Sequence, residues 1–220
     1  MFERATLARV LPFAIYMAFI AIADLLGRLG WSGAELRWLY PIKIAAVLAA
    51  LVYYRRSYVE LLPARPDWRA VAAAVAAGLL VFLLWINLDA PWMALGGSAG
   101  FDPRTDGQID WTLVALRLLG AAVVVPVMEE LFWRSFLMRW IERADFLNVN
   151  PAHVRFKAFI VTVILFGFEH SLWLAGIVAG AAYSVLYMRS RSLWTAVLAH
   201  AVTNGVLGVW IIFTAHWTYW

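Results

Sequence analysis

Long uninterrupted apolar runs, separated by short polar segments, set the pattern of this chain. Seven stretches, at 7–27, 38–54, 69–88, 111–133, 156–171, 172–188 and 193–214, are long enough, or nearly so, to cross about 30 Å of hydrocarbon as helices. The second, fifth and sixth are short, and the turn near Ser171 is tight. The pattern predicts an all-α polytopic transmembrane bundle of about seven spans. A re-entrant or split helix would make eight. One membrane domain covers 1–220: residues 1–110 hold the N-terminal spans and a Gly-, Pro- and Asp-rich external loop at 89–110, and 111–214 a helical core.

Composition supports lipid as the solvent. Apolar residues make up 64% of the 220 and charged residues 15%, whereas charged residues form about a quarter of ordinary soluble chains. The net charge of +4 does not indicate nucleic acid, because the basic residues cluster in short loops between apolar runs. The absence of cysteine excludes disulfides, thiolate metal sites and cysteine nucleophiles. Arg4 and Arg9 precede an apolar run reaching about Gly27 with no small-residue cleavage site, so this segment reads as a retained first span.

Orientation follows from the basic residues. With the N-terminus cytoplasmic and seven helices alternating, thirteen Arg and Lys, Arg65 among them, fall on the cytoplasmic side. Only Arg28, Arg37 and Arg104 fall outside, and Lys43 and Arg117 lie within spans. That asymmetry is the positive-inside pattern of an integral protein, here of a bacterial-type plasma membrane. Trp31, Trp38, Trp68, Trp92, Trp111, Trp194 and Trp217 lie near span ends, as an interfacial belt requires.

Charges inside spans each cost about 2.5–3.5 kcal/mol on insertion scales and so need a reason. Asp24 and Lys43 can pair with each other or snorkel to an interface, and Arg117 can snorkel outward; a structural role is expected for all three. Glu129-Glu130-Leu131-Phe132-Trp133-Arg134 is more informative. Glu130 and Arg134, four apart, share a helix face and can pair. Glu129 points about 100° away with no local partner. Pro126 removes a backbone hydrogen bond one turn earlier and can kink the helix. A helix-end charge cluster would also explain this segment.

Phe166 and His170 follow at i, i+4, and His200 and Asn204 repeat that spacing in the last span. Phe166 can wall the site beside His170, and the polar His200–Asn204 pair can lock helices together, stabilise an oxyanion or ligate a metal. In combination, a shielded carboxylate beside an imidazole can deprotonate a water for attack on a peptide carbonyl, with His200 and Asn204 on the oxyanion side. Glu129, His170 and His200 could alternatively hold zinc with an open fourth position. No HExxH is present. Gly176 and Gly180, spaced as GxxxG, favour close helix packing within the bundle.

These three elements resemble the motifs of the CPBP family of CAAX proteases and bacteriocin-processing enzymes, also called Abi: EExxxR, FxxxH and HxxxN. They read here as Glu129-Glu130-xxx-Arg134, Phe166-xxx-His170 and His200-xxx-Asn204, in order. The resemblance covers 111–214, and the first three spans carry no matching motif. It implies a glutamate-dependent intramembrane endopeptidase acting on a membrane-anchored or C-terminal peptide. Glu129 would be general base, His170 its partner on the water, and His200 and Asn204 the oxyanion side. Glu130 and Arg134 would hold the geometry. No cofactor is certain: a metal-free mechanism is preferred, with zinc as the alternative. An ion- or proton-coupled transporter and a non-catalytic immunity or scaffold protein are the competing readings. One requirement follows from the span limits. His170 falls roughly 20 Å above the start of the fifth span, so that helix must start lower, tilt, or open onto a cavity shared with Glu129 and His200.

Overall fold

The computed structural model describes residues 3–62, 67–96, 100–105 and 107–220. Arg65, counted above with the cytoplasmic charges, lies outside the described residues, as do 97–99 and 106 of the external loop. Seven long helices are present among the described residues, one for each apolar stretch: α1 Arg4–Arg28, α2 Leu39–Tyr53, α3 Trp68–Trp85, α4 Trp111–Glu142, α5 Phe156–Phe168, α6 Trp173–Ser190 and α7 Leu193–Thr214. A single helical turn, Gly33–Leu36, leads into α2. The expected all-α polytopic bundle is borne out. Four of the seven, α1, α3, α4 and α7, are by themselves long and apolar enough to cross a membrane, and so is α2 together with that turn. At 13 residues, α5 rises only about 20 Å.

The polar residues between runs start the helices. Asp67 caps α3 by accepting from the Ala70 N–H at 2.7 Å, and Asp110 caps α4 by accepting from Thr112 and Leu113. The 89–110 loop holds one 3₁₀ turn, Pro91–Met93, and a two-residue hairpin of β1 Arg104–Thr105 with β2 Gln108–Ile109.

Where α4 was expected to stop at 133, it runs to Glu142. A helix-end charge cluster at 129–134 would have stopped it there. Here Arg134 and Arg139 are buried and partnered, so the helix continues. α4 also widens into π turns at Gly120–Val124 and Leu131–Leu137, on either side of Pro126 and the two glutamates. Proline supplies no N–H to the preceding turn, and π turns are a recognised way to absorb the mismatch. Trp217 does not join the interfacial belt. It is buried, with its ring 5.5 Å from that of Trp220.

α7 lies at the centre, packed along α3, α6 and the wide turns of α4; α5 packs on α6, and α1 on α2. Small residues permit this closeness. The Thr203 hydroxyl donates to the Gly78 carbonyl at 2.9 Å. Gly176 meets Gly167 and Gly180 meets Phe166, so the GxxxG pair packs α6 on α5 within one molecule. At the end holding the N-terminus, Arg9, Glu60, Ser135 and Arg139 form a buried polar cluster. Arg9 donates to Glu60 at 2.9 Å and to Ser135 at 3.0 Å, and Arg139 donates to Glu60 at 2.9 Å.

Candidate active site

The ionisable residues expected to pair by proximity in sequence behave differently from one another. Asp24 does not meet Lys43. It pairs with exposed Arg28 one turn along α1, at 2.9 Å. Glu130 and Arg134 do pair, at 3.0 Å, and both side chains are fully buried. Arg134 also donates to the Gly180 carbonyl at 3.3 Å and lies 4.2 Å over the Phe166 ring. One arginine thus ties α4 to α5 and α6.

Glu130 Oε1 has a second partner, His200 Nδ1, at 3.0 Å. A carboxylate can only accept here, so Nδ1 of His200 carries the proton. His170 Nδ1 lies 2.8 Å from the Phe166 carbonyl and is likewise the donor. Both imidazoles therefore keep Nε2 free of these contacts. Tyr183 stacks on His200 with centroids 5.0 Å apart and donates its hydroxyl to Thr203. Asn204 donates to the Ala121 carbonyl at 2.9 Å, inside the first π turn.

Glu129 is 4% exposed and makes no hydrogen bond with any described residue; its Oε2 is buried without a partner. With His170, His200 and Asn204 it lines one cavity of about 740 Å³, walled also by Phe166, Tyr183 and Trp85. The short fifth helix meets the placement requirement. It ends at Phe168, and Phe166 sits between the imidazoles, its ring 4.7 Å from His170 and 6.3 Å from His200. All seven sequence-predicted site residues fall in or directly behind this cavity.

The zinc reading fares differently. Among the described residues no three His, Asp, Glu or Cys side chains are grouped to hold a metal ion. His170 and His200 each turn Nδ1 to an oxygen acceptor, the Phe166 carbonyl and Glu130 Oε1, which leaves Nε2 as the one nitrogen of each ring open to the cavity.

Several cavity residues escaped the sequence reading. Glu169 accepts from the Trp133 indole at 2.9 Å, and Tyr16, Tyr40 and Lys43 reach in from α1 and α2. No local spacing marks them as site residues; Lys43 is visible in the sequence only as a charge within an apolar run.

Three motifs on three helices thus converge on one cavity. Residues 111–206 match the Rce1-like type II CAAX prenyl endopeptidase family. The match starts with α4 and takes in all three motifs, and the resemblance read from them is borne out. It covers less than half of the chain, leaving α1 to α3 outside the Rce1-like segment. It supports an intramembrane endopeptidase in general. No curated protein and no solved structure matches the chain significantly.

Proposed function

We propose that this chain hydrolyses a peptide bond of a membrane-associated substrate with a water activated by Glu129 and His170. The observation that carries the reading is the contrast between adjacent glutamates. Glu130 is held by Arg134 and His200, while Glu129 faces the cavity with no hydrogen-bond partner among the described residues. A structural charge cluster would satisfy both.

Glu129 takes a proton from the water as its oxygen attacks the carbonyl carbon. His170 Nε2 accepts the water's other hydrogen and fixes its direction, because Nδ1–H is committed to Phe166. On the oxyanion side stand the second N–H of Asn204, whose first is held by Ala121, and the Nε2 edge of His200, whose ring is oriented by the Nδ1–H bond to Glu130. Collapse breaks the C–N bond, and Glu129 returns its proton to the leaving amine.

In the same reading the N-terminus is cytoplasmic and the membrane is a bacterial-type plasma membrane, on the strength of the arginine asymmetry. The test compares membrane-anchored peptides in cells carrying wild type or Glu129→Gln. Uncut precursors should accumulate in the variant, as they should for His170→Ala and His200→Ala. A Glu129→Gln protein that cleaves at the wild-type rate would remove the general base from this scheme.

A further inference from the structure

Two cations on the cavity wall form no ion pair among the described residues, and Glu129 is the one uncommitted acid that shares their cavity. Lys43 of α2 is 9% exposed, and Arg117 of α4 is half-buried. The side chain of neither makes a hydrogen bond or ion pair with any described residue. Instead they share an aromatic cage. The Lys43 ammonium lies 3.8 Å from the Tyr16 ring and 5.0 Å from Tyr40. The Arg117 guanidinium lies 4.6 Å from Tyr40, 4.5 Å from Phe101 and 5.8 Å from Trp220. Tyr40 also fixes the pair by donating its hydroxyl to the Arg117 carbonyl at 3.1 Å.

Aromatic faces soften the burial of a cation but leave its N–H groups unsatisfied. Both residues line the cavity that holds Glu129 and also a second one, of about 720 Å³, running between α1, α2 and the 100–104 segment. The other acids on these walls are committed: Asp89 to Tyr219, Glu169 to Trp133 and Asp102 to Arg104. Arg117 and Glu129 stand twelve residues apart on one helix, about 18 Å along its axis. That is the reach of roughly five extended peptide residues.

We propose that Lys43 and Arg117 form an anion subsite that holds the terminal carboxylate of a peptide whose scissile bond lies at Glu129. The assignment rests on the protease reading above and adds to it the group by which substrate is aligned. The charge-assisted hydrogen bonds that the two cations lack come from the substrate, and the cage fixes where they form.

The test reads binding, not turnover. Glu129→Gln protein in detergent micelles is titrated with trileucine as the free acid and as its amide, followed by tryptophan fluorescence. The acid should bind at least ten-fold more tightly. Lys43→Met and Arg117→Met should each shrink that preference and the double variant abolish it, while Lys43→Arg keeps it. If the double variant does not fold, Lys43→Met against Lys43→Arg decides. Equal affinity for acid and amide, or a preference that survives loss of the cations, would overturn the subsite and leave Lys43 as a counter-charge for Glu129. Glycerol 3-phosphate binding there more tightly than the peptide acid would overturn the peptide and assign the site to a phosphate. Wild type that cuts no membrane peptide would count against the protease reading without altering these affinities.

Discussion

Adjacent glutamates on a helix point about 100° apart, so one turn of α4 gives two carboxylates unrelated surroundings. Their removal should therefore have opposite consequences. Glu130→Gln takes the charge away from Arg134 and His200, and breaking a buried pair from one side costs about 3–5 kcal/mol. Its thermal unfolding in detergent should fall well below wild type. Glu129→Gln removes a buried carboxylate that has no hydrogen-bond partner among the described residues and should unfold at the wild-type temperature or above it while losing cleavage. A similar loss of stability in both would mean that Glu129 is structural. The Glu130–Arg134 pair was legible at i, i+4, because a helix fixes those neighbours locally. The His200–Glu130 bond was not, since it depends on how α7 leans on α4. For the same reason Asp24 and Lys43, plausible partners by composition, stand apart.

Those placements depend on helices approaching closely, and Gly78 of α3 makes one of the tightest contacts bearing on the site. A Cβ there would lie 2.5 Å from the Ala199 carbonyl and 2.9 Å from Val202, on the turn of α7 that carries His200 and Asn204. Gly78→Ala should cost about 1–3 kcal/mol and lower kcat with it, since α7 must move. Gly205→Ala, whose Cβ would meet only Ala122 at 3.7 Å, should be tolerated. Comparing the two unfolding temperatures tests this, and equal values would refute it. The seven helices were readable as apolar runs and α4's irregularity was signalled by Pro126, but its nine further residues were hidden by the burial of Arg134 and Arg139. A second prediction concerns Glu60, which reaches that arginine cluster from the α2–α3 connection. Burial alone would raise its carboxyl, but hydrogen bonds from Arg9 and Ser135 outweigh it and hold the group below the ordinary 4.5. The stability it contributes is complete above 4.5 and is lost as pH falls through the lower folded value. Glu60→Gln should thus lower stability at neutral pH and flatten the acid limb of a stability–pH profile; an unchanged limb would exclude the coupling.

At the scale of the molecule, the cavity has a direction. Its walls include Asp89, Ala94, Gly96, Ser171, Leu172 and Thr218–Trp220, all on the side poor in arginine, and no described residue from 54–62, 139–157 or 189–192. The opposite end is closed by the Arg9, Glu60, Ser135 and Arg139 cluster. If the arginine-rich loops are cytoplasmic, substrate must reach Glu129 from the other face, as a segment already carried across the membrane. A chain without cysteine makes this directly measurable. Ala94→Cys marks the mouth, Val125→Cys the floor one turn before Glu129, and Ala144→Cys the exposed loop at the far end. In right-side-out vesicles of bacterial plasma membrane, a charged, impermeant methanethiosulfonate should modify Ala94→Cys and Val125→Cys but not Ala144→Cys. Inside-out vesicles should reverse the pattern. Modification of Val125→Cys only in inside-out vesicles would show that the cavity is entered from the cytoplasm.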